Sequence, residues 1–409
     1  MKSFSLLVKP ASADCSLRCD YCFYLKKAAV YPDTAVHRMS DGVLDRMITS
    51  YLKAEQPVYA FGWQGGEPTL MGIEFFKRVT SLQEEHGRSG AVVSNGLQTN
   101  AVLMNDEWAR HLAAYRFLVG VSLDGPAEVH DTYRQDRNAT GTHAAVLKGI
   151  GALQRHGVEF NILTLVSRAN VRKPALIYRY LRDSGFLFHQ YIECVEFEPD
   201  GTLKPFAIRG EEWGEFLCGI YDEWRKADVW RVSVRLFDSI LAMLVDDTAT
   251  VCHMAADCRQ YLVVEYNGDV YPCDFYVEPE RRLGNLMQDS WTALLDSAGY
   301  AAFGRGKGEW NEACRKCEYL RFCAGDCQKN RPARPRDGRP LSELCAGWRV
   351  FYRHALPGFK ELAEQIRRER GGTRAREAGR PPERNEPCPC GAVDRSGKPV
   401  KYKKCHGKG

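Results

Sequence analysis

Cys15-Ser16-Leu17-Arg18-Cys19-Asp20-Tyr21-Cys22 places three thiols on one short loop, spaced C-x3-C-x2-C. Three thiolates so spaced can hold three irons of a cubane cluster and leave the fourth iron without a protein ligand. A cluster that only carries electrons normally takes four cysteines, so a triplet points to chemistry at an open iron. The same residues also allow a plainer reading, as buried or zinc-binding cysteines on an N-terminal loop.

The sequence around this loop predicts its scaffold. From residue 4 to about 230, short apolar runs alternate with helical patterns. Strands are expected at 4–8, 58–63, 91–94, 117–123, 158–166 and 188–193, and helices at 41–54, 73–86, 106–114, 142–156 and 172–184. This rhythm implies an α/β fold with a parallel sheet, open or curled into a barrel. Functional loops then gather at the carboxyl ends of the strands. The cysteine loop follows the first strand and Gly65-Gly66-Glu67-Pro68 the second, so both belong to one rim. Glycines let a backbone approach a ligand closely, although a Gly-Gly turn after a strand is often only a turn. Ser122 and Asp124-Gly125-Pro126 read as a strand-terminating turn, and Arg134 as a solvated helix charge.

A chain of 409 residues has room for two or three domains, and its apolar and charged fractions are ordinary for a globular protein. The net charge of +5 is mild and much of the basic excess lies after residue 330, which excludes a nucleic-acid footprint in the main body. No signal-peptide pattern opens the sequence. No apolar run approaches the roughly 20 residues of a membrane span. Sixteen cysteines then argue for metal or redox use rather than a disulfide framework. The expected setting is the cytoplasm, away from membranes, with the chain acting as a monomer.

After about residue 231 the texture changes and cysteines become dense. Residues 263–271 read as a hairpin turning at Asn267-Gly268. Cys252, Cys258 and Cys273 bracket it, Cys314, Cys317, Cys323 and Cys327 form C-x2-C-x5-C-x3-C, and Cys345 follows. Eight thiols suit two four-cysteine cubanes or two four-cysteine zinc sites, and spacing does not choose between them. Cys194 and Cys218 read as small buried hydrophobes. Trp213, Trp224 and Trp230 read as core residues of a helical stretch, and the basic run at 331–339 as a solvated loop. The charged stretch 361–386 suggests a fraying helix and a linker. Cys388, Cys390, Cys405 and His406 close the chain as a C-x-C…C-H set, a tetrahedral zinc site or a disordered basic tail. The expected division is 1–230, 231–360, 361–386 and 387–409.

Together the cysteine triplet and the Gly-Gly-Glu-Pro turn resemble the radical S-adenosylmethionine (SAM) enzymes. The whole pattern is similar to the anaerobic sulfatase-maturating enzymes, which carry a SPASM extension. The similarity rests on L-L-V-K-P-A-S at 6–12, C-D-Y-C-F-Y at 19–24, Q-G-G-E-P-T-L at 64–70 and N-G-L-Q-T-N at 95–100. It continues through F-L-V-G-V-S-L-D-G-P at 117–126, V-E-F-N-I-L at 158–163, V-Y-P-C-D-F-Y at 270–276 and R-L-G-N at 282–285.

The resemblance implies a partial six-stranded βα barrel followed by a SPASM domain with three 4Fe–4S clusters. Cys15, Cys19 and Cys22 would hold the first, whose open iron chelates SAM and whose electron cleaves it to a 5′-deoxyadenosyl radical. Tyr21, Gly66, Ser122, Arg134 and Val195 would contact SAM. Cys252, Cys258, Cys273 and Cys327 would hold auxiliary cluster I, and Cys314, Cys317, Cys323 and Cys345 auxiliary cluster II. The implied reaction converts Cys or Ser in a C/S-x-P/A-x-R segment of an unfolded sulfatase to Cα-formylglycine. The radical takes a Cβ hydrogen, Asp274 takes the thiol or hydroxyl proton, and an electron leaves to an auxiliary cluster. Implied partners are the sulfatase polypeptide and a low-potential donor such as ferredoxin or flavodoxin. The tail resembles the SEC-C zinc motif. The rivals are another SPASM peptide-modifying enzyme, for example one forming thioether crosslinks, and a non-catalytic zinc or iron–sulfur protein.

Overall fold

Ten strands form one sheet in the order β10-β9-β8-β1-β2-β3-β4-β5-β6-β7. They are β1 (Ser5–Lys9), β2 (Tyr59–Trp63), β3 (Val93–Thr99), β4 (Leu118–Ser122), β5 (Phe160–Val166), β6 (Phe188–Glu193), β7 (Ser233–Val234), β8 (Tyr261–Glu265), β9 (Asp269–Tyr271) and β10 (Gly284–Asn285). The computed structural model describes residues 3–332, 339–379 and 398–401. Strands β1 to β7 pair in parallel, β8 adds to β1 in parallel, and β9 and β10 follow as antiparallel neighbours. Six parallel strands in sequential order match the expectation for the first half of the chain.

Period-two alternation gives the strands two different faces. On β2, Tyr59, Phe61 and Trp63 are buried, while Gly62 lies on the opposite face. Helices cover the first face because their apolar residues recur at helical spacing. Asp41–Lys53 buries Val43, Leu44, Met47, Ile48, Tyr51 and Leu52, and its first turn is capped by Ser40, whose hydroxyl accepts from Val43 N. Asp106–Ala114 starts at Asn105, whose side chain accepts from the amides of Glu107 and Trp108.

The other face lines a cavity of about 960 Å³ whose walls include Gln64, Gln98, Asn161 and Gln190. Glycines at 62, 96 and 120 leave space there, and register sets Gly62 beside Gly96 and Gly120 beside Asn161. This explains one departure from the sequence reading. The third strand was expected to stop at residue 94, before a polar Asn-Gly stretch, yet it runs to Thr99. Its polar residues are matched in place: Asn95 accepts from Trp63 Nε1 at 3.0 Å and exchanges bonds with Gln83.

Around residue 230 the sheet continues without interruption. β7 pairs with β6, and all five residues of β8 register against β1, from Ser5 beside Tyr261 to Lys9 beside Glu265. The helices Gly210–Ala227 and Cys345–Gly379 pack through small residues: a Cβ at Gly347 would meet Gly210 O at 1.8 Å. The second helix extends into the stretch read as fraying helix and linker. Trp213 and Trp224 are core residues, but Trp230 is not; it lies beyond the helix and is 63% exposed. Cys194 is buried as expected and Cys218 is half-buried. Among the described residues no helix is long and apolar enough to cross a membrane. Cys388, Cys390, Cys405 and His406 lie outside the described residues.

Candidate active site

The cysteine loop leaves the carboxyl end of β1 and docks directly on the Gly-Gly-Glu-Pro turn after β2. Gly66 N donates to Ser12 O at 2.7 Å and Glu67 N to Asp14 O at 2.8 Å. This approach leaves no room for a side chain, since a Cβ on Gly66 would stand 1.9 Å from Asp14 O. Glu67 is fully buried and ties the turn to the end of β3. Its carboxylate accepts from Thr69 N, Thr69 Oγ1, Thr99 Oγ1 and Asn100 N, all between 2.7 and 3.1 Å. Burial raises its pKa, and these four donors oppose the rise. Asn100 in turn reaches the loop, donating to Ser16 Oγ at 3.1 Å and to Cys15 Sγ at 3.7 Å.

Tyr21 and Arg134 meet at Asp124. The Tyr21 hydroxyl donates to Asp124 Oδ2, and Arg134 Nε donates to the same oxygen at 3.0 Å. The guanidinium also lies 5.5 Å from the Tyr21 ring centre, within cation–π range. Leu165 N donates to the other carboxylate oxygen at 2.9 Å. Burial works against the Arg134 charge, but Asp124, Tyr21 and Cys19 together outweigh it and raise the pKa. Arg134 is therefore a half-buried, paired cation and not the solvated helix charge that its sequence context suggests. Ser122 ends β4 just before this cluster. Val195 is buried after β6, and its carbonyl accepts from Lys329, which also pairs with Glu196 at 2.8 Å.

Asp274 sits where the second half of the chain meets the rim. Tyr261 OH donates to its Oδ1 at 3.1 Å, and Gln64 Nε2 donates to its Oδ2 at 3.2 Å. Lys9, at the end of β1, places its ammonium 3.7 Å from Oδ2 and 4.5 Å from the Tyr24 ring centre. Tyr24 donates to Glu265, so one buried and one half-buried carboxylate flank one buried ammonium. Burial lowers the Lys9 pKa, and Asp274 and Glu265 pull it back up. Gln64 also lines the cavity, so a cavity residue holds the Asp274 carboxylate.

None of the thirteen cysteines among the described residues forms a disulfide. Eleven of their thiols fall into three electrostatic neighbourhoods, and Cys194 and Cys218 stand outside them. Cys15, Cys19 and Cys22 feel one another. Cys252 couples to Cys258 and Cys327, and Cys327 to Cys273. Cys345 couples to Cys314 and Cys317, and Cys323 to Cys345 and Cys314. Burial pushes Cys15 up to about 12 and Cys19 to about 11. Bound metal is the charge that deprotonates such thiols outright, so these donor sets fit metal clusters. Among the described residues no three metal-binding side chains converge closely enough for a single ion.

Residues 10–180 match the Radical SAM superfamily, and residues 256–318 match SPASM, an iron–sulfur cluster-binding domain. A serine-type anaerobic sulfatase-maturating enzyme from Bacteroides thetaiotaomicron is 35% identical over 383 residues, 89% of this chain and 92% of that protein. This chain belongs to the anaerobic sulfatase-maturating enzymes. A cysteine-type member from Clostridium perfringens is 34% identical over 371 residues, 90% of this chain and 100% of that protein. The structure of anSMEcpe with bound AdoMet and the Cp18Cys peptide is similar with a TM-score of 0.82 at 33% identity, over 89% of this chain and 100% of that one. Streptococcus suis SuiB bound to precursor peptide SuiA shares the fold alone, with a TM-score of 0.60 at 15% identity, over 80% of this chain and 72% of that one.

For this sulfatase-maturating enzyme, sequence reasoning missed the supporting residues. Asp124 read as a turn residue, Glu67 only as part of the Gly-Gly-Glu-Pro turn, and Lys9 and Glu265 were given no role of their own. A signal was available, because each is a charge at the end of an otherwise apolar strand or in its following turn. Such residues are rarely buried unless paired.

Proposed function

We propose that this enzyme oxidises Cβ of a Cys or Ser side chain in an unfolded sulfatase segment, leaving Cα-formylglycine. The carrying observation is Asp274, a carboxylate held by Tyr261 and by Gln64, which lines the cavity. The residues proposed to hold the cofactors are the three cysteine sets: Cys15, Cys19 and Cys22; Cys252, Cys258, Cys273 and Cys327; and Cys314, Cys317, Cys323 and Cys345. Tyr21, Gly66, Ser122, Arg134 and Val195 are proposed to face SAM. When bound, SAM and the three 4Fe–4S clusters supply the hydrogen-abstracting radical and the outlet for the substrate's electron.

In this proposal the chain's own residues handle the proton. Asp274 receives it from the substrate thiol or hydroxyl, with Gln64 and Tyr261 fixing its two oxygens. Lys9 holds its ammonium 3.7 Å from the same carboxylate. With reference pKa values of about 3.9 for Asp and 8.5 for Cys, transfer before Cβ oxidation is uphill by roughly 6 kcal/mol. The proton therefore moves as the Cβ hydrogen leaves, when the adjacent group becomes acidic. For a Cys substrate, water then replaces sulfur, which departs as hydrogen sulfide.

Asp274→Asn is expected to cleave SAM at near wild-type yield but to lose at least tenfold in formylglycine formation. Equal loss of both activities would count against this role. Mass spectrometry of the product separates formylglycine from a thioether crosslink, which joins two residues. A colourless protein with zinc in place of iron after anaerobic purification would sink the enzyme proposal. The further proposals are a low-potential ferredoxin or flavodoxin as donor, a monomer, a cytoplasmic setting where thiols stay reduced, and zinc at Cys388, Cys390, Cys405 and His406.

A further inference from the structure

Lys307 closes the helix Ala298–Lys307 and is 1% exposed. Its Nζ donates to the carbonyls of His253 at 2.8 Å, of Ala255, and of Ala324 at 3.3 Å. Three acceptors match the three N–H bonds of an ammonium group, whereas a neutral amine has two. The helix C-terminus on which it sits also favours a cation. His253 follows Cys252 and Ala324 follows Cys323, so one ammonium ties together two loops that carry ligand cysteines.

Among the described residues no carboxylate stands within salt-bridge distance of this ammonium. Burial lowers the Lys307 pKa, and the charges of Cys258, Asp326, Cys327 and Cys252 pull it back up. The Asp326 carboxylate is bonded to Ser342 and Asn330. Gln328 adds a neutral donor on the same side, with Nε2 at 3.5 Å from Cys258 Sγ. Burying an uncompensated cation costs several kcal/mol. Three carbonyls offset part of that cost; the neighbouring thiolates and Asp326, whose Oδ1 is buried without a hydrogen-bond partner, are the remaining sources of negative charge.

We infer that Lys307 is the fixed counter-charge of the iron–sulfur group held by Cys252, Cys258, Cys273 and Cys327, and that it raises this group's reduction potential. Reduction adds a negative charge, and a cation held in a low-dielectric site stabilises the reduced form more than the oxidised one. Lys307 thus makes this centre the better acceptor for the electron leaving the substrate. It touches neither substrate nor SAM and is a positioning residue. The inference rests on the ligand assignment proposed above.

The test is an EPR-monitored redox titration of the full chain, reconstituted anaerobically, for wild type, Lys307→Met, Lys307→Gln and Lys307→Arg, with iron counted in each. The expected result is unchanged iron, one auxiliary midpoint shifted to more negative potential in Lys307→Met and Lys307→Gln, and recovery of that midpoint in Lys307→Arg. If Lys307→Met loses iron, Lys307→Gln, which keeps hydrogen-bond donors, still reports the midpoint. Unchanged midpoints with full iron overturn the inference, as does loss of iron from both neutral variants, which would make Lys307 only a structural tie. A wild-type chain without any auxiliary iron signal instead overturns the ligand assignment, and the inference with it.

Discussion

His130 and His189 show how individual side chains set the pH behaviour of this enzyme. His130 Nδ1 accepts from Asp124 N at 3.3 Å while its Nε2 faces Thr142 Oγ1 at 3.2 Å. His189 Nε2 faces the Phe186 carbonyl at 2.7 Å while Nδ1 faces the Tyr191 hydroxyl at 3.1 Å. Each ring has a donor-facing nitrogen and an acceptor-facing one, as a neutral imidazole requires. Burial lowers both from 6.5 to about 4. Because the folded values are depressed, the stabilisation is complete above pH 6.5 and falls as pH drops towards 4. Over that window the unfolded chain binds protons that the folded chain refuses. Unfolding free energy should fall by roughly 1.4 kcal/mol per pH unit for each histidine. Anaerobic denaturant unfolding at pH 7.5 and 5.5 checks this, and His189→Gln should remove one histidine's share of the slope.

Helices and strands meet through close backbone approaches, and these make the sharpest demands on residue size. Gly347 and Gly210 bring the helices Cys345–Gly379 and Gly210–Ala227 into near contact, and a Cβ on Gly214 would stand 2.5 Å from Gly347 O. Gly347→Ala should push the helices apart and lower stability by about 1–3 kcal/mol, the range for overpacking a tight interface. Thermal unfolding of the variant measures the loss, and iron content should fall with it because Cys345 opens the same helix. An unchanged midpoint would show that the interface yields easily. The periodicity of both helices is visible in the sequence, but the identity of their partner is not. Gly210 and Gly347 are 137 positions apart in a chain with many other glycines.

The whole molecule is organised by a pairing that sequence spacing does not display. β1 carries the cysteine loop and is hydrogen-bonded along five residues to β8 of the second half. A chain ending at residue 230 would expose that edge together with Leu6 and Val8, and it is expected to aggregate rather than fold. A chain ending at Gly379 keeps the paired sheet and should retain iron and SAM cleavage while losing the zinc proposed for the tail. Size-exclusion chromatography and metal analysis of the two truncations check both expectations. The cysteine triplet, the Gly-Gly-Glu-Pro turn, the six-strand rhythm and the position of Asp274 beside Cys273 were all legible in the sequence. Local spacing and period carry those features, and each is contained within a few residues. Tertiary structure alone decided that Tyr21 and Arg134 converge on Asp124, that Lys9 and Gln64 face Asp274, and that Lys307 enters the field of the second-domain thiols. These groups lie tens to hundreds of residues apart and form no local pattern. They meet because a buried charge must find a partner, and only the folded chain determines which partner is within reach.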